Sequence, residues 1–220
     1  MTDPAVGQRD AAGCILAGGL SSRMGTDKAL LMLAGKPLLL YAVESLRGAG
    51  LGVSIAASRS DLSSYAPAVP DHGFGPLSGI CALLSATTME FVVFVPVDMP
   101  LLPTSLIQAM LSSARATESV VTVASVNGVT DTFPAVLRRS ALATFQTELA
   151  AGRRACLSAF KAAARKAEQA ISILPVELLL QAGLVADPNG FPPSLWFLNL
   201  NMPGDLARAE STLNRLHRVI

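Results

Sequence analysis

The chain has 220 residues, of which 51% are hydrophobic and 15% charged, and its 17 basic and 16 acidic side chains leave a net charge of +1. A chain of this length buries a real core, and the low charge fraction excludes disorder over most of it. The balanced charge gives no electrostatic footprint for nucleic acid, and no uninterrupted apolar run is long enough to span a membrane.

Residues 1–12 are polar and mixed, lack the apolar stretch of a signal peptide, and read as a flexible N-terminus ahead of a single domain over 13–220. Cys14–Ala17 reads as a first, short strand. Pro37–Ala49 reads as a helix with Pro37 at its start, Leu39, Val43 and Leu46 on one buried face, and Gly48 and Gly50 as a stop. Val53–Ala57 reads as a strand, Pro76–Ala86 as a helix, and Phe91–Val97 as a central strand buried on both faces, because it is β-branched, aromatic and uncharged. A helix over Pro103–Ala114 and a strand over Val120–Val126 follow. Beyond them the pattern gives a strand at Phe133–Leu137, helices at Ser140–Ala150 and Ala155–Ala170, a strand at Ile171–Val176, and a Gly- and Pro-rich loop at Gly183–Ser194. A strand at Trp196–Leu200 and a closing helix at Gly204–Leu216 complete the reading. Alternating strands and helices predict a three-layer α/β/α fold with a Rossmann-like, mostly parallel sheet. Such sheets bind ligands beyond the C-terminal ends of their strands, so the loops after Ala17 and after Val97 belong on one rim.

Those two loops hold the unusual residues. Leu16–Lys28, LAGGLSSRMGTDK, contains Gly18, Gly19 and Gly25 together with Arg23 and Lys28. Glycines let backbone N–H groups approach a phosphate, while Arg23 offers a planar fork and Lys28 a point charge. The spacing is neither that of the common P-loop, since Thr26 and Asp27 separate Gly25 from Lys28, nor the dinucleotide fingerprint G-x-G-x-x-G. In Val95–Leu102, VPVDMPLL, Asp98 comes directly after the central strand, where a carboxylate can hold Mg²⁺ together with substrate phosphate oxygens. Arg153 and Arg154, at the head of a helix, read equally as binders of an acceptor phosphate or as a solvated pair. Asp131 reads as an acceptor-side residue or a turn residue, His72 as a surface residue, and Cys81 as core packing. Three separated cysteines (Cys14, Cys81, Cys156) and two histidines speak against zinc or a disulfide framework and for a reducing, cytoplasmic compartment.

Taken together, LAGG-x-SSRMG-x-DK, GPLSGI at Gly75–Ile80, VDMP at Val97–Pro100 and N-x-N-x-P at Asn199–Pro203 resemble the molybdenum cofactor guanylyltransferases, within the wider group of nucleotidyltransferases. The resemblance implies Mg²⁺-dependent transfer of GMP from GTP to molybdopterin, with release of pyrophosphate, and transient contact with proteins that handle the molybdenum cofactor. It implies nucleotide contacts from Leu16, Ala17, Gly18, Gly19, Lys28, Asp71 and Asp98, catalytic roles for Arg23, Lys28 and Asp98, and Mg²⁺ on Asp98. It places Asn199 and Asn201 near acceptor and metal. The LAGG of Leu16–Gly19 points to guanine, since cytidyl-transferring relatives tend to read LAAG there. The chain departs from the family at Ala56-Ala57-Ser58, where asparagine is frequent, and at Met202-Pro203-Gly204, where Thr-Pro-Glu is usual; Pro175–Ser194 is longer than the usual connection. Cytidylyl transfer, a sugar-phosphate acceptor and a non-catalytic nucleotide-binding protein are the alternatives.

Overall fold

The computed structural model describes residues 10–17, 28–57, 59–71, 73–201 and 203–216. In chain order the strands are β1 (Ala11–Leu16), β2 (Met32–Leu33), β3 (Lys36–Pro37), β4 (Gly52–Ala56), β5 (Ala68–Val69), β6 (Phe91–Pro96), β7 (Val121–Val126), β8 (Val129–Arg138) and β9 (Ser172–Pro175). The helices are α1 (Leu38–Gly48), α2 (Pro76–Ala86), α3 (Thr104–Thr117), α4 (Leu142–Ala150), α5 (Cys156–Lys166), α6 (Val176–Gln181), α7 (Pro193–Trp196) and α8 (Pro203–Leu216).

Seven strands form one sheet in the order β5-β4-β1-β6-β8-β7-β9, while β2 and β3 make a separate hairpin. Only β8 runs against its neighbours β6 and β7, so the sheet is mostly parallel. Side chains alternate along each strand, and the alternation sorts them into two cores. Phe91, Val93 and Val95 of β6 join the core beneath α1, α3 and α8, whereas Val92 and Phe94 join the one beneath α2, α4 and α5. A strand buried on both faces must be apolar at every position, which is why FVVFV is legible in the sequence. The three-layer α/β/α architecture is therefore present. Among the described residues no helix is long and apolar enough to cross a membrane.

The sheet begins at Ala11, two residues inside the stretch read as a flexible tail: Ala12 pairs with both Gly52 and Val92, and Asp10 forms an ion pair with Arg115. α1 starts one residue after Pro37 and buries Leu38, Leu39, Ala42, Val43 and Leu46. β8 is longer than expected and carries a bulge: Val123 pairs with Ala135 but Ser125 with Thr130, so residues 131–134 arch out of the ladder.

Trp196–Leu200 is not a strand. Pro193 stands in the first turn of the short helix α7, Trp196 donates its indole N–H to Phe191 O at 2.9 Å, and residues 198–200 have no regular structure. The apolar residues that imitate a strand, Trp196 and Leu200, fill the core from a loop. The long connection 175–194 is likewise a packed cover. It contains α6, buries Val185 and Phe191, and is tied to α3 by paired bonds between Ser105 and Ala186.

Candidate active site

β1 and β6 lie side by side and end together, with Leu16 level with Pro96 and Val97 N–H donating to Leu16 O at 3.2 Å. The C-terminal ends of β1 and β6 thus lie on one rim, with the aspartate-bearing loop after β6. Lys28 donates to Asp98 Oδ2 at 2.9 Å and to Asn201 Oδ1 at 2.5 Å. Lys28 and Asp98 side chains are 22% and 18% exposed, so the pair is partly shielded while remaining open to a ligand. Asn201 is held there by the backbone. Leu200 is buried, and its N–H donates to Asp98 O at 2.9 Å, fastening the N-x-N segment to the aspartate loop. Asp205, in the first turn of α8, accepts the Asn201 N–H at 3.0 Å, reaching back across the helix start as the acid of a capping box does. Asn199 is not drawn in: its Nδ2 makes a long 3.4 Å bond to Phe197 O.

At the rim Leu16 O accepts the Val97 N–H, and the Ala17 N–H donates to Ala56 O at 3.3 Å. Gly18, Gly19 and Arg23 lie outside the described residues, as do Ser58 and His72. Asp71 follows β5 and accepts the Gly73 N–H at 2.7 Å. Its carboxylate stands above the start of α2, where a Cβ on Gly79 would be 3.6 Å from Asp71 Oδ2 and 3.1 Å from both Ala56 Cβ and Leu16 Cδ2. Glycine at 79 therefore seats α2 against the ends of β1 and β4, bringing Asp71 to the same rim. Gly75, which precedes α2 with φ +90°, makes the turn that a Cβ would strain.

The two arginines part company. Arg153 forks onto both carboxylate oxygens of Glu148 at 2.6 and 2.7 Å and closes the end of α4. Arg154 lies over the Phe74 ring, 4.9 Å from its centroid, joining the loop before α5 to the loop between Asp71 and α2. Phe74 is 53% exposed and is a site neighbour that sequence reasoning missed; an aromatic residue between Gly73 and Gly75, in a rim loop, is the signal that could have found it.

The residues present fit a magnesium ion. Asp98 Oδ2 and Asn201 Oδ1 already converge on a cation, the Lys28 ammonium. Magnesium takes one or two protein oxygens and completes its shell with phosphates and water, and this pair of side chains supplies two oxygens. A cleft of about 450 Å³ opens behind the Asp98 loop, lined among others by Lys36, Tyr41, Ser45, Thr104 and Asp187. Five of its polar side chains already have partners: Lys36 pairs with Glu44, Tyr41 donates to Leu33 O, Ser45 to Leu102 O and Thr104 to Ser45 O, and Asp187 accepts within its own turn. The chemistry-bearing residues lie at the rim instead.

A mostly parallel three-layer sheet, with a lysine, an aspartate and an asparagine gathered beyond its strand ends, defines a nucleotide-handling α/β domain. Residues 13–173 match the model of one family, and the chain belongs to it: the MobA-like NTP transferase domain. It is similar to a molybdenum cofactor guanylyltransferase of Xanthomonas euvesicatoria pv. vesicatoria, 42% identical over 110 residues, which is 49% of this chain and 57% of that protein. A protein of the same name from Shewanella halifaxensis is 33% identical over 147 residues, 64% of this chain and 74% of that one. The chain thus spans little more than half the length of several curated relatives it matches. The crystal structure of molybdopterin-guanine dinucleotide biosynthesis protein A from Archaeoglobus fulgidus shares the fold, with a TM-score of 0.75 at 21% identity over 93% of this chain and 99% of that one.

Proposed function

We propose that the protein transfers GMP from GTP to the phosphate of molybdopterin, giving the guanine dinucleotide cofactor and pyrophosphate. The observation that carries this reading is the convergence of Lys28, Asp98 and Asn201 at the paired ends of β1 and β6. The names of the relatives support the choice of base and acceptor. A phosphate oxygen of the acceptor attacks the α-phosphorus of GTP, the bond from that phosphorus to the bridging oxygen breaks, and pyrophosphate leaves with the electron pair. The attacking oxygen is already anionic, so positioning and charge stabilisation suffice without a strong base. Lys28 exchanges its present partners for the triphosphate and offsets the charge that grows as pyrophosphate departs, and Arg23 serves the same end from the loop before it. Asp98 and Asn201 Oδ1 would hold Mg²⁺, which when bound neutralises phosphate charge as a Lewis acid. Arg154 and Asn199 face the acceptor side in this reading. The three buried, free cysteines support a reducing cytoplasm as the setting.

The test is pyrophosphate release from the full chain with Mg²⁺ and molybdopterin, with GTP and CTP in parallel. Release with GTP alone is expected. Release with CTP alone overturns the base assignment, and silence with both overturns the reaction.

A further inference from the structure

Three carboxylates stand across the rim in the order of the strands. Asp71 follows β5, Asp98 follows β6, and Asp131 lies on β8, with the sheet running β5-β4-β1-β6-β8. At about 4.8 Å per neighbouring strand, Asp71 and Asp131 are separated by roughly 19 Å, with Asp98 between them. Asp98 has a part in the reaction proposed above, and the family resemblance implies a nucleotide contact for Asp71. Asp131 has none so far.

Asp131 opens the bulge of β8, where the chain leaves its ladder with β7, and it lies beyond the last pair with β6, Phe94 with Ala135. Bulges beside active sites re-aim side chains. This one is braced: Phe133 packs edge-on against Phe160 of α5, centroids 6.1 Å apart. That contact fixes the bulge beside α5, whose leading end carries Arg154 and its stack on Phe74. Asp131 is half-buried, and among the described residues it makes no hydrogen bond or ion pair. Burial pushes its carboxyl above the usual carboxylate range. A partly desolvated carboxylate left without donors is costly to a fold, and donors brought by a ligand would complete it.

We propose that Asp131 receives the donor edge of the acceptor's pterin ring, an assignment that rests on molybdopterin being the acceptor. A 2-amino-4-oxopyrimidine ring presents a ring N–H and an exocyclic amine side by side, and the two oxygens of a carboxylate accept both in a charge-assisted pair. With the base of the nucleotide toward Asp71, the order of the product, guanine then two phosphates then pterin, is the order of Asp71, Asp98 and Asp131 across the sheet. With the pterin end held on β8, the acceptor phosphate is delivered to Lys28 and Asp98 one strand away.

The experiment is fluorescence titration of the full chain, with GTP and no divalent metal, using a 6-substituted pterin phosphate and its 2,4-dioxopteridine counterpart, in which a carbonyl replaces the amine. The wild type prefers the pterin by at least about tenfold, since a site built for donors rejects an analogue that lacks one. Asp131→Asn loses that preference and raises KM for molybdopterin about tenfold or more, with GTP affinity unchanged, and Asp131→Glu restores part of the preference. An Asp131→Asn variant that keeps both preference and KM overturns the role of Asp131 while wild-type turnover leaves the reaction standing. A wild type that binds GTP but neither binds pterin nor releases pyrophosphate overturns the reaction and this role together.

Discussion

Lys28 and Asp98 stand 70 residues apart in the chain and 2.9 Å apart in space. The sheet prepares the meeting: β1 and β6 are parallel neighbours, so their C-terminal ends share one rim. Asp98→Asn keeps the shape and removes the charge, and turnover is expected to fall by a factor on the order of 10³ with loss of Mg²⁺ dependence. Lys28→Met should cost about 10²–10³ in kcat with the metal dependence retained. Circular dichroism and melting should change little in either, since both side chains sit at a partly open rim. Near-normal, Mg²⁺-responsive turnover in Asp98→Asn would remove the metal assignment.

Arg153 and Arg154 are indistinguishable in sequence as a pair of neighbouring charges, and the structure separates them. Arg153 is committed to Glu148, whereas the Arg154 guanidinium rests on the Phe74 ring. Steady-state kinetics should show Arg154→Ala raising KM for molybdopterin about tenfold, the loss of roughly one charge-assisted contact, with Arg153→Ala close to wild type. Equal effects from the two substitutions would contradict this division.

Gly79 and Gly13 test how tightly the layers close beneath the rim. A Cβ on Gly79 would press on Ala56 and Leu16, both at 3.1 Å, and one on Gly13 would meet Leu46 Cδ2 at 3.0 Å. Overpacking of this kind costs about 1–3 kcal/mol. Denaturant unfolding should show losses of that size in both alanine variants. Gly79→Ala should also weaken GTP binding, because Asp71 rides on the same contact, and Gly13→Ala should not.

The legible parts of this protein are those where a local pattern coincides with burial. Phe91–Pro96 is apolar because both its faces are covered, and α2 runs over Pro76–Ala86 as the sequence reads. The rim residues are legible through loop composition. What the sequence withholds is what depends on long-range packing. Trp196–Leu200 carries the hydrophobicity of a strand, but β5 and β9 already close the two edges of the sheet, and the segment serves as core filling and as the fastening of Asn201. A short apolar run cannot distinguish these uses. Only the fold could divide Arg153 from Arg154, or Asn201 from Asn199, since their sequence environments are nearly the same.

Cys14, Cys81 and Cys156 are buried and free, and burial pushes their thiols up to about 12, 11 and 12. At pH 8 such groups are almost wholly protonated, and the thiolate is the reactive form. An aromatic disulfide reagent should therefore label none of them rapidly in the native protein and all of them after denaturation. Fast native labelling of any one would mean that its helix or strand opens readily.

The carboxyl of Asp131 makes a prediction of opposite sign to that of an ordinary paired aspartate. Its folded pKa is raised by burial above the unfolded value, so in the window between the two the native state binds more protons than the unfolded chain. Stability therefore falls as pH rises through that window, and at neutral pH the ionised group burdens the fold. Asp131→Asn removes the burden. Its melting temperature at pH 7 should equal or exceed that of the wild type, and the difference should shrink as pH falls below the ordinary carboxylate range, where both side chains are neutral. Melting curves of the two proteins across that range decide the matter. A variant less stable than the wild type at pH 7 would mean that Asp131 is held by the fold, and a variant that is stable yet blind to the pterin edge is what a residue kept for its ligand should give.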